Sequence, residues 1–230
     1  MYKKLLLVLF GFLPSSWKVF LLRKRGHKIG DHVHIGICYL DVRRLDLGNG
    51  VKIGNFNYFK NVKVLEMADG ARIGGTFNWI TASPFNDLGG EGFGILRMQR
   101  SAGITGRHFL DLSDTITVGE ETLIAGFNST FWTHGMIPDG NSRDGDSRNA
   151  PIVLGRRCYV GGQVIFLPGA FLGDCSFVGS GAVVTKDFSG VSHVLVAGNP
   201  AQVKKTYSAD ARWFTTEHDY VAKIRVETPQ

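Results

Sequence analysis

The sequence predicts an all-β protein, a parallel β-helix, and three observations carry that expectation. The first is a period of six. From Leu154 the chain divides into LGRRCY, VGGQVI, FLPGAF, LGDCSF, VGSGAV and VTKDFS, and an aliphatic or aromatic residue opens each hexad. The second is a small residue at the fifth position: Cys158, Val164, Ala170, Ser176 and Ala182, before Phe188 ends the run. The third is glycine, 30 of 230 residues, spread along the chain without a collagen triplet. Period six is neither helical nor a plain alternating strand. Hexapeptide periodicity is the signature of a parallel β-helix.

The elements follow in chain order. Residues 1–26, MYKKLLLVLFGFLPSSWKVFLLRKRG, predict two short helices broken at Pro14, with Ser15 or Ser16 as the second N-cap. The apolar run Leu5 to Leu13 is nine residues, short of the roughly 20 that span a bilayer. No small-x-small cleavage site follows it, as a signal peptide would need. Two readings of this segment stand: an apolar surface with a cationic end, suited to an anionic membrane face, or a cap on the end of the core.

Residues 27–205 are the expected β-helix. Each hexad makes a short strand and a corner, and three hexads close a triangular coil of about 18 residues. Position one points into a narrow core, position five faces inward near a corner, and glycine at position two is expected to ease the turn through positive φ. The same frame fits VGEETL and IAGFNS at 118–129, IGDHVH at 29, LGNGVK and IGNFNY from 47, and MADGAR and IGGTFN from 67. It is lost between Trp79 and Thr115, where turn residues predict an irregular coil or a protruding loop, set at 84–103. GGEGFG in that stretch is not a dinucleotide fingerprint, because no strand–turn–helix frame surrounds it. A second loop is expected at 135–150. Residues 206–230 predict a C-terminal helical tail with Ser208 as N-cap.

Charge narrows the partners. Residues 1–30 hold seven Lys or Arg and no acid, which leaves 19 basic and 20 acidic residues in the remainder. The basic pI thus belongs to the N-terminal segment, and a nucleic-acid partner, which wants a basic folded surface, is not expected. Cys38, Cys158 and Cys175 lack CxxC spacing and read as small core residues in a reducing compartment.

The period breaks at NSTFWTHG, 128–135, and a polar stretch follows to Ala150. A histidine there is either a corner residue or a base near neutral pH. The hexads, this histidine, the polar excursion and GSGAVVTKDFSGVSHVLVAGNPAQVKK together resemble the hexapeptide-repeat acyltransferases, in shape the galactoside and maltose O-acetyltransferases and the exopolysaccharide, colanic-acid-type enzymes. The resemblance spans 104–206 and, more faintly, 27–78. It implies a left-handed winding, against the right-handed habit of parallel crossovers.

It also implies an enzyme. Acetyl-CoA is the co-substrate, with no metal, and acetyl passes to a sugar hydroxyl in a polysaccharide or its lipid-linked precursor. The expected assembly is a homotrimer with sites between subunits, cytoplasmic, with peripheral membrane contact through residues 1–30. The family's catalytic histidine falls on His134 and its orienting acid on Asp146, with Asp139 and Asp144 as rivals. The pantetheine-channel aromatic falls on Tyr159 and the backbone NH for the thioester oxygen on Gly162. CoA-arm contacts fall on Ser180, Thr185 and Lys186, and a phosphate contact on Lys205. Acceptor contacts fall around Arg107, His108 and Asp111, where the galactoside enzymes' asparagine and aspartate are not reproduced. Two alternatives stand beside this one: a zinc-dependent carbonic anhydrase-like lyase on the same fold, and a non-catalytic β-helix scaffold.

Overall fold

The computed structural model describes residues 2–137 and 146–216. Between Lys28 and Thr206 the chain winds through short strands that pair in parallel with the coils before and after. Three faces result. The first stacks Trp79–Thr81, Phe109–Asp111, Thr130–Phe131, Ile165–Phe166 and Val183–Val184. The second stacks Ile95–Met98, Ile116–Val118, Ile152–Leu154, Phe171–Leu172 and Asp187–Phe188. The third runs from His34–Ile35 through Tyr159–Val160 to Val194–Ala197, where Gln202–Thr206 folds back antiparallel. Cys38–Leu47 and Asn57–Met67 turn from the first face to the second without a break.

Stacking explains the composition. Leu40, Phe59, Ile80, Leu110, Phe131, Phe166 and Val184 are register neighbours down one inward column, all buried. The Phe131 and Phe166 rings stack at 4.8 Å. Each coil covers its apolar edge only against its neighbours, so removing one rung, Phe131→Ala, costs about 3–5 kcal/mol. The fifth positions Thr122, Cys158, Val164, Ala170, Ser176 and Ala182 are fully buried.

Glycine at position two acts differently from expectation. Gly119, Gly155 and Gly173 do not have positive φ; a Cβ on any of them would run into backbone of the next coil. The left-handed conformation falls at position four instead, on Glu121, Arg157, Gln163 and Cys175 as well as on Gly169 and Gly181. Cys175 is therefore a corner residue, whereas Cys158 occupies the small fifth position. All three cysteines are free and buried, and burial pushes the Cys158 thiol up to about 12.

The frame is not lost as far as Thr115. It returns at Ile95, and Leu96, Met98, Ala102, Ile104, Leu110 and Leu112 point inward. Only residues 82–94 are inserted, at the corner between the first two faces; they include a 3-10 turn, Pro84–Asn86.

Helices α1, Tyr2–Gly11, and α2, Ser15–Lys24, close the first coil. Neither serine caps α2: Pro14 is its N-cap residue, and the Ser15 hydroxyl accepts from Ile35 N–H at 2.9 Å. Lys18 is buried and donates to the carbonyls of Ile35 and Gly36, and burial lowers its pKa. Arg23 donates to the Ile29 and Gly30 carbonyls at 3.0 and 2.6 Å. These bonds satisfy strand carbonyls that have no preceding coil. At the other end, α3 spans Arg212–Thr215 with Ala211, not Ser208, as its N-cap residue. The rest of the expected tail, from residue 217, lies outside the described residues.

Candidate active site

His134 stands where the first face ends. Its strand, His134–Ile137, pairs antiparallel with Asp146–Asn149, so the two ends of the predicted loop pair with each other at the corner. The same corner holds Asp111, one coil earlier. Asp111 Oδ2 lies 2.8 Å from His134 Nδ1, and the carboxylate is 5% exposed while the imidazole is 30% exposed. Three donors hold that carboxylate in place: Thr133 N–H at 3.1 Å and Thr133 Oγ1 at 3.0 Å on Oδ2, and Ser113 Oγ at 2.8 Å on Oδ1. A buried, multiply bonded carboxylate fixes the ring and its tautomer, with the proton on Nδ1. Nε2 is the nitrogen left to meet a substrate. The Trp132 ring meets the imidazole edge-on at 5.7 Å.

The resemblance puts Asp111 among the acceptor contacts and Asp146 beside the histidine. Among the described side chains, the carboxylate on His134 Nδ1 is that of Asp111. The Asp146 backbone pairs with Ile137, whereas His134 pairs with Asn149. The Asp146 side chain lies outside the described residues, as do Asp139 and Asp144. Asn149 ties the hairpin down, donating to the carbonyls of Asn86 at 2.6 Å and Ser113 at 3.0 Å. Ser113, Thr133 and Asn149 were missed; the signal available was that Thr133 adjoins the histidine.

His108, expected near the acceptor, is buried in the polar interior of its coil. It is 1% exposed. Its Nδ1 accepts from Ser129 N–H at 3.2 Å, and its Nε2 lies 2.9 Å from Thr105 Oγ1. Burial pushes its pKa down to about 4. It is a rung of a buried polar ladder: Asn78 Nδ2 donates to Asn57 Oδ1, and His108 N–H donates to Asn78 Oδ1. Arg107, by contrast, is exposed, with its guanidinium 5.7 Å over the Phe127 ring.

No family model matches the chain. Over 89 residues it is 33% identical to the galactoside O-acetyltransferase of Escherichia coli (strain K12), a stretch that is 39% of this chain and 43% of that protein. The galactoside O-acetyltransferase of Lactococcus lactis is 34% identical over 86 residues, 37% of this chain and 40% of that one. The chain thus matches less than half the length of these relatives. Among solved structures, the polysialic acid O-acetyltransferase OatWY superposes with a TM-score of 0.56 at 18% identity, covering 78% of this chain and 81% of that one. The polySia-specific acetyltransferase NeuO gives 0.52 at 20%, covering 81% and 86%.

The chain shares the fold of OatWY and NeuO. The left-handed winding belongs to it.

Against that acetyltransferase frame, the remaining predicted residues divide between faces. Thr185 and Lys186 are exposed on His134's corner, two coils further on. Gly162 and Ser180 lie at the other end of the first face, where Gly162 packs against Phe127 and Gly126. By strand rise, Gly162 and His134 of one chain stand on the order of 20 Å apart. Tyr159 is on the third face, in contact with the Phe177 and Trp213 rings. Lys205 is opposite Leu195 on that face, with its ammonium over the Tyr207 ring. Within one chain, then, His134 does not meet Tyr159, Gly162 or Lys205. Among the described residues no group of three His, Cys, Asp or Glu is placed to hold a metal.

Proposed function

We propose that this protein is an acetyl-CoA-dependent O-acetyltransferase acting on a saccharide hydroxyl, with His134 as general base and Asp111 as its positioning residue. The observation that carries the reading is the His134–Asp111 pair, 2.8 Å long, at the corner where His134–Ile137 and Asp146–Asn149 pair. Nε2 takes the hydroxyl proton as the oxygen attacks the thioester carbon. The C–S bond then breaks, and the imidazolium returns the proton to the departing CoA sulfur. The products are the acetyl ester and free CoA, with no covalent protein intermediate. Asp111 accepts from Nδ1–H throughout and stabilises the imidazolium.

The separation of His134 from Gly162, Tyr159 and Lys205 supports a site made by two subunits. One chain supplies the base; the next supplies the oxyanion donor and CoA contacts, with Ser180, Thr185 and Lys186 along the CoA arm. A closed homotrimer satisfies this with one repeated contact. The galactoside enzymes act on sugars, OatWY and NeuO act on polysialic acid, and a variant of the N-acyltransferase AntD from Bacillus cereus, with dTDP and coenzyme A bound, superposes at a TM-score of 0.50. Residues 1–26 act as a helical cap, 27–205 as the catalytic body, and 206–230 as a tail.

No helix among the described residues is long and apolar enough to cross a membrane. The outer side of α1 and α2 nevertheless exposes Leu5, Leu9, Phe12, Trp17 and Phe20 above Arg23, Lys24 and Arg25. This surface gives peripheral contact with an anionic membrane face, while Lys18 and Leu22 cap the coil from the same helix.

Incubation with acetyl-CoA and a panel of saccharides, read by mass shift and thiol release, tests the activity. Wild-type protein that releases no CoA with any hydroxyl acceptor would overturn the proposal. A monomer by light scattering with transfer intact would overturn the shared site.

A further inference from the structure

The corner between the first and second faces is cationic at its N-terminal end. Val42 pairs with Val62 and Arg44 with Val64, so Arg43 and Lys63 stand side by side on the first two coils, about one strand spacing of 4.8 Å apart. Both are exposed. Like charges opposite one another across strands are destabilising. Arg25, immediately after α2, joins them in lining one hollow of about 670 Å³. Among the described residues no ion pair engages any of the three, whereas Arg23, Lys28, Arg97 and Arg157 each meet an acid.

Two carboxylates share the lining, and each faces a backbone donor. Asp41 Oδ2 accepts from Asn61 N–H at 3.3 Å, and Asp87 Oδ1 from Gly89 N–H at 3.0 Å. Three cations against two acids leave a positive surplus.

Apolar side chains stand at both ends of the hollow. At one end Leu7 of α1 lines it, and the same helix exposes Leu5, Leu6 and Leu9. At the other, Asp87, Gly89 and Gly90 belong to the inserted loop, which exposes Phe85 at 98% and Leu88 at 56%. Exposed apolar groups on either side of a cationic recess fit a surface that meets a bilayer. The apolar side chains enter the interface and the cations meet phosphates.

We infer that this hollow takes the phosphate-bearing headgroup of a membrane lipid, with Arg25, Arg43 and Lys63 as its contacts and the 82–94 insert as a second apolar anchor beside α1. The inference rests on the proposed membrane contact, and names its ligand and a point of contact outside the helices. A phosphate between Arg43 and Lys63 removes their mutual repulsion. Guanidinium groups meet phosphate through paired N–H donors, and an ammonium meets it as a point charge. Free phosphate would find the same cations but leave Phe85 and Leu88 in water, so the flanking apolar groups assign the phosphate to a lipid. A contact made by general charge would instead draw on exposed Lys and Arg alike.

Co-sedimentation of the full-length protein with vesicles of phosphatidylcholine, alone or with phosphatidic acid added, tests this. The expected result is binding that requires phosphatidic acid. Arg43→Ala with Lys63→Ala should weaken it about thirtyfold, the worth of two basic residues at a charged lipid surface. The melting temperature should stay or rise, because a like-charge pair is gone. Arg44→Ala with Lys52→Ala removes the same charge from outside the hollow and should weaken binding less than about threefold. Phe85→Ser should weaken it about tenfold without touching a charge. That side chain is exposed, so this variant carries the test even where the double variant does not fold. Equal losses in the two double variants would reduce the contact to general charge and overturn the site, as would indifference to Phe85→Ser. Stabilisation by inorganic phosphate with no binding to either vesicle would overturn the lipid as ligand. Binding that is lost with Leu5→Ser and Leu9→Ser but unmoved by the hollow and insert variants would leave the helix contact standing and overturn this site. The opposite pattern would overturn the helix contact and leave the hollow standing.

Discussion

Between Ile152 and Val196 the coils return after 18 residues from Tyr159 to Phe177, from Phe177 to Leu195 and from Ile165 to Val183, and after 16 from Phe171 to Asp187 at the last corner. Between Cys38 and Phe131 the first face returns after 21 residues from Phe59 to Ile80, 30 from Ile80 to Leu110, and 21 from Leu110 to Phe131. The regular coils have no slack. Their position-two glycines touch the next coil, and their position-four residues turn left-handed whatever the side chain. The irregular coils place their extra residues at the corner between the first and second faces, and that corner holds Asp111, Ser113 and the His134 hairpin. A repeat that packs this tightly leaves chemistry to its interruptions. The regular end gives a rigid support, and the irregular end gives the base and the cationic hollow.

The sharpest break of this comparison is at the interruption itself. His134→Ala is expected to lower kcat by about two to four decades, measured as CoA release, while the melting temperature barely moves. A variant that transfers acetyl at the wild-type rate would falsify the proposed mechanism.

A smaller loss separates the two candidate acids. Asp111→Asn should lower kcat by about one to three decades, because the amide cannot stabilise the imidazolium. Asp146→Asn should leave kcat unchanged. The reverse pattern would return the orienting role to the hairpin.

The regular coils are sharpened by stability. A Cβ on Gly155 would sit 2.8 Å from both the Asp174 nitrogen and the Gly173 carbonyl carbon, whereas one on Gly90, in the inserted loop, meets nothing within 4 Å. Gly155→Ala is expected to cost about 1–3 kcal/mol, and Gly90→Ala less than about 0.5 kcal/mol. Denaturant midpoints read the difference, and equal effects would deny the contrast between the two regions.

The smallest effect is one of pH. The His108 imidazole titrates at about 4 when folded and near 6.5 when unfolded. Between those values the unfolded chain binds more protons, so the stability His108 contributes is complete above pH 6.5 and is lost as pH falls towards 4. Thermal melts of His108→Asn should show a shallower fall over that window than wild type. An identical slope would mean that the buried ladder does not hold His108 neutral.

Much of the fold was legible because its period is local. The hexads from Leu154 named the inward residues one by one, and each buried fifth position was marked by its size. Glycine at position two was visible, although its reason was contact with the next coil and not backbone handedness. The stretch 95–111 hid its frame because the inserted loop shifts its phase, and Arg97, Gln99 and Arg100 break up its apolar pattern. Of the site, His134 was marked by the break in the period and by the family resemblance. Asp111 was marked by the resemblance among the acceptor contacts, with no sign that it meets the imidazole.

The sequence alone thus determined that this chain coils: six-residue spacing fixes which side chains face inward, and that choice depends only on neighbours along the chain. Only the tertiary structure decided which acid meets His134. Asp111 is 23 residues earlier, a distance set by no hexad, and it reaches the ring because coils separated by insertions still stack at one strand spacing. The structure likewise decided that Tyr39, Tyr58, Trp79 and Phe109 form one column. Their spacings in sequence differ, and only hydrogen-bonded register makes them neighbours.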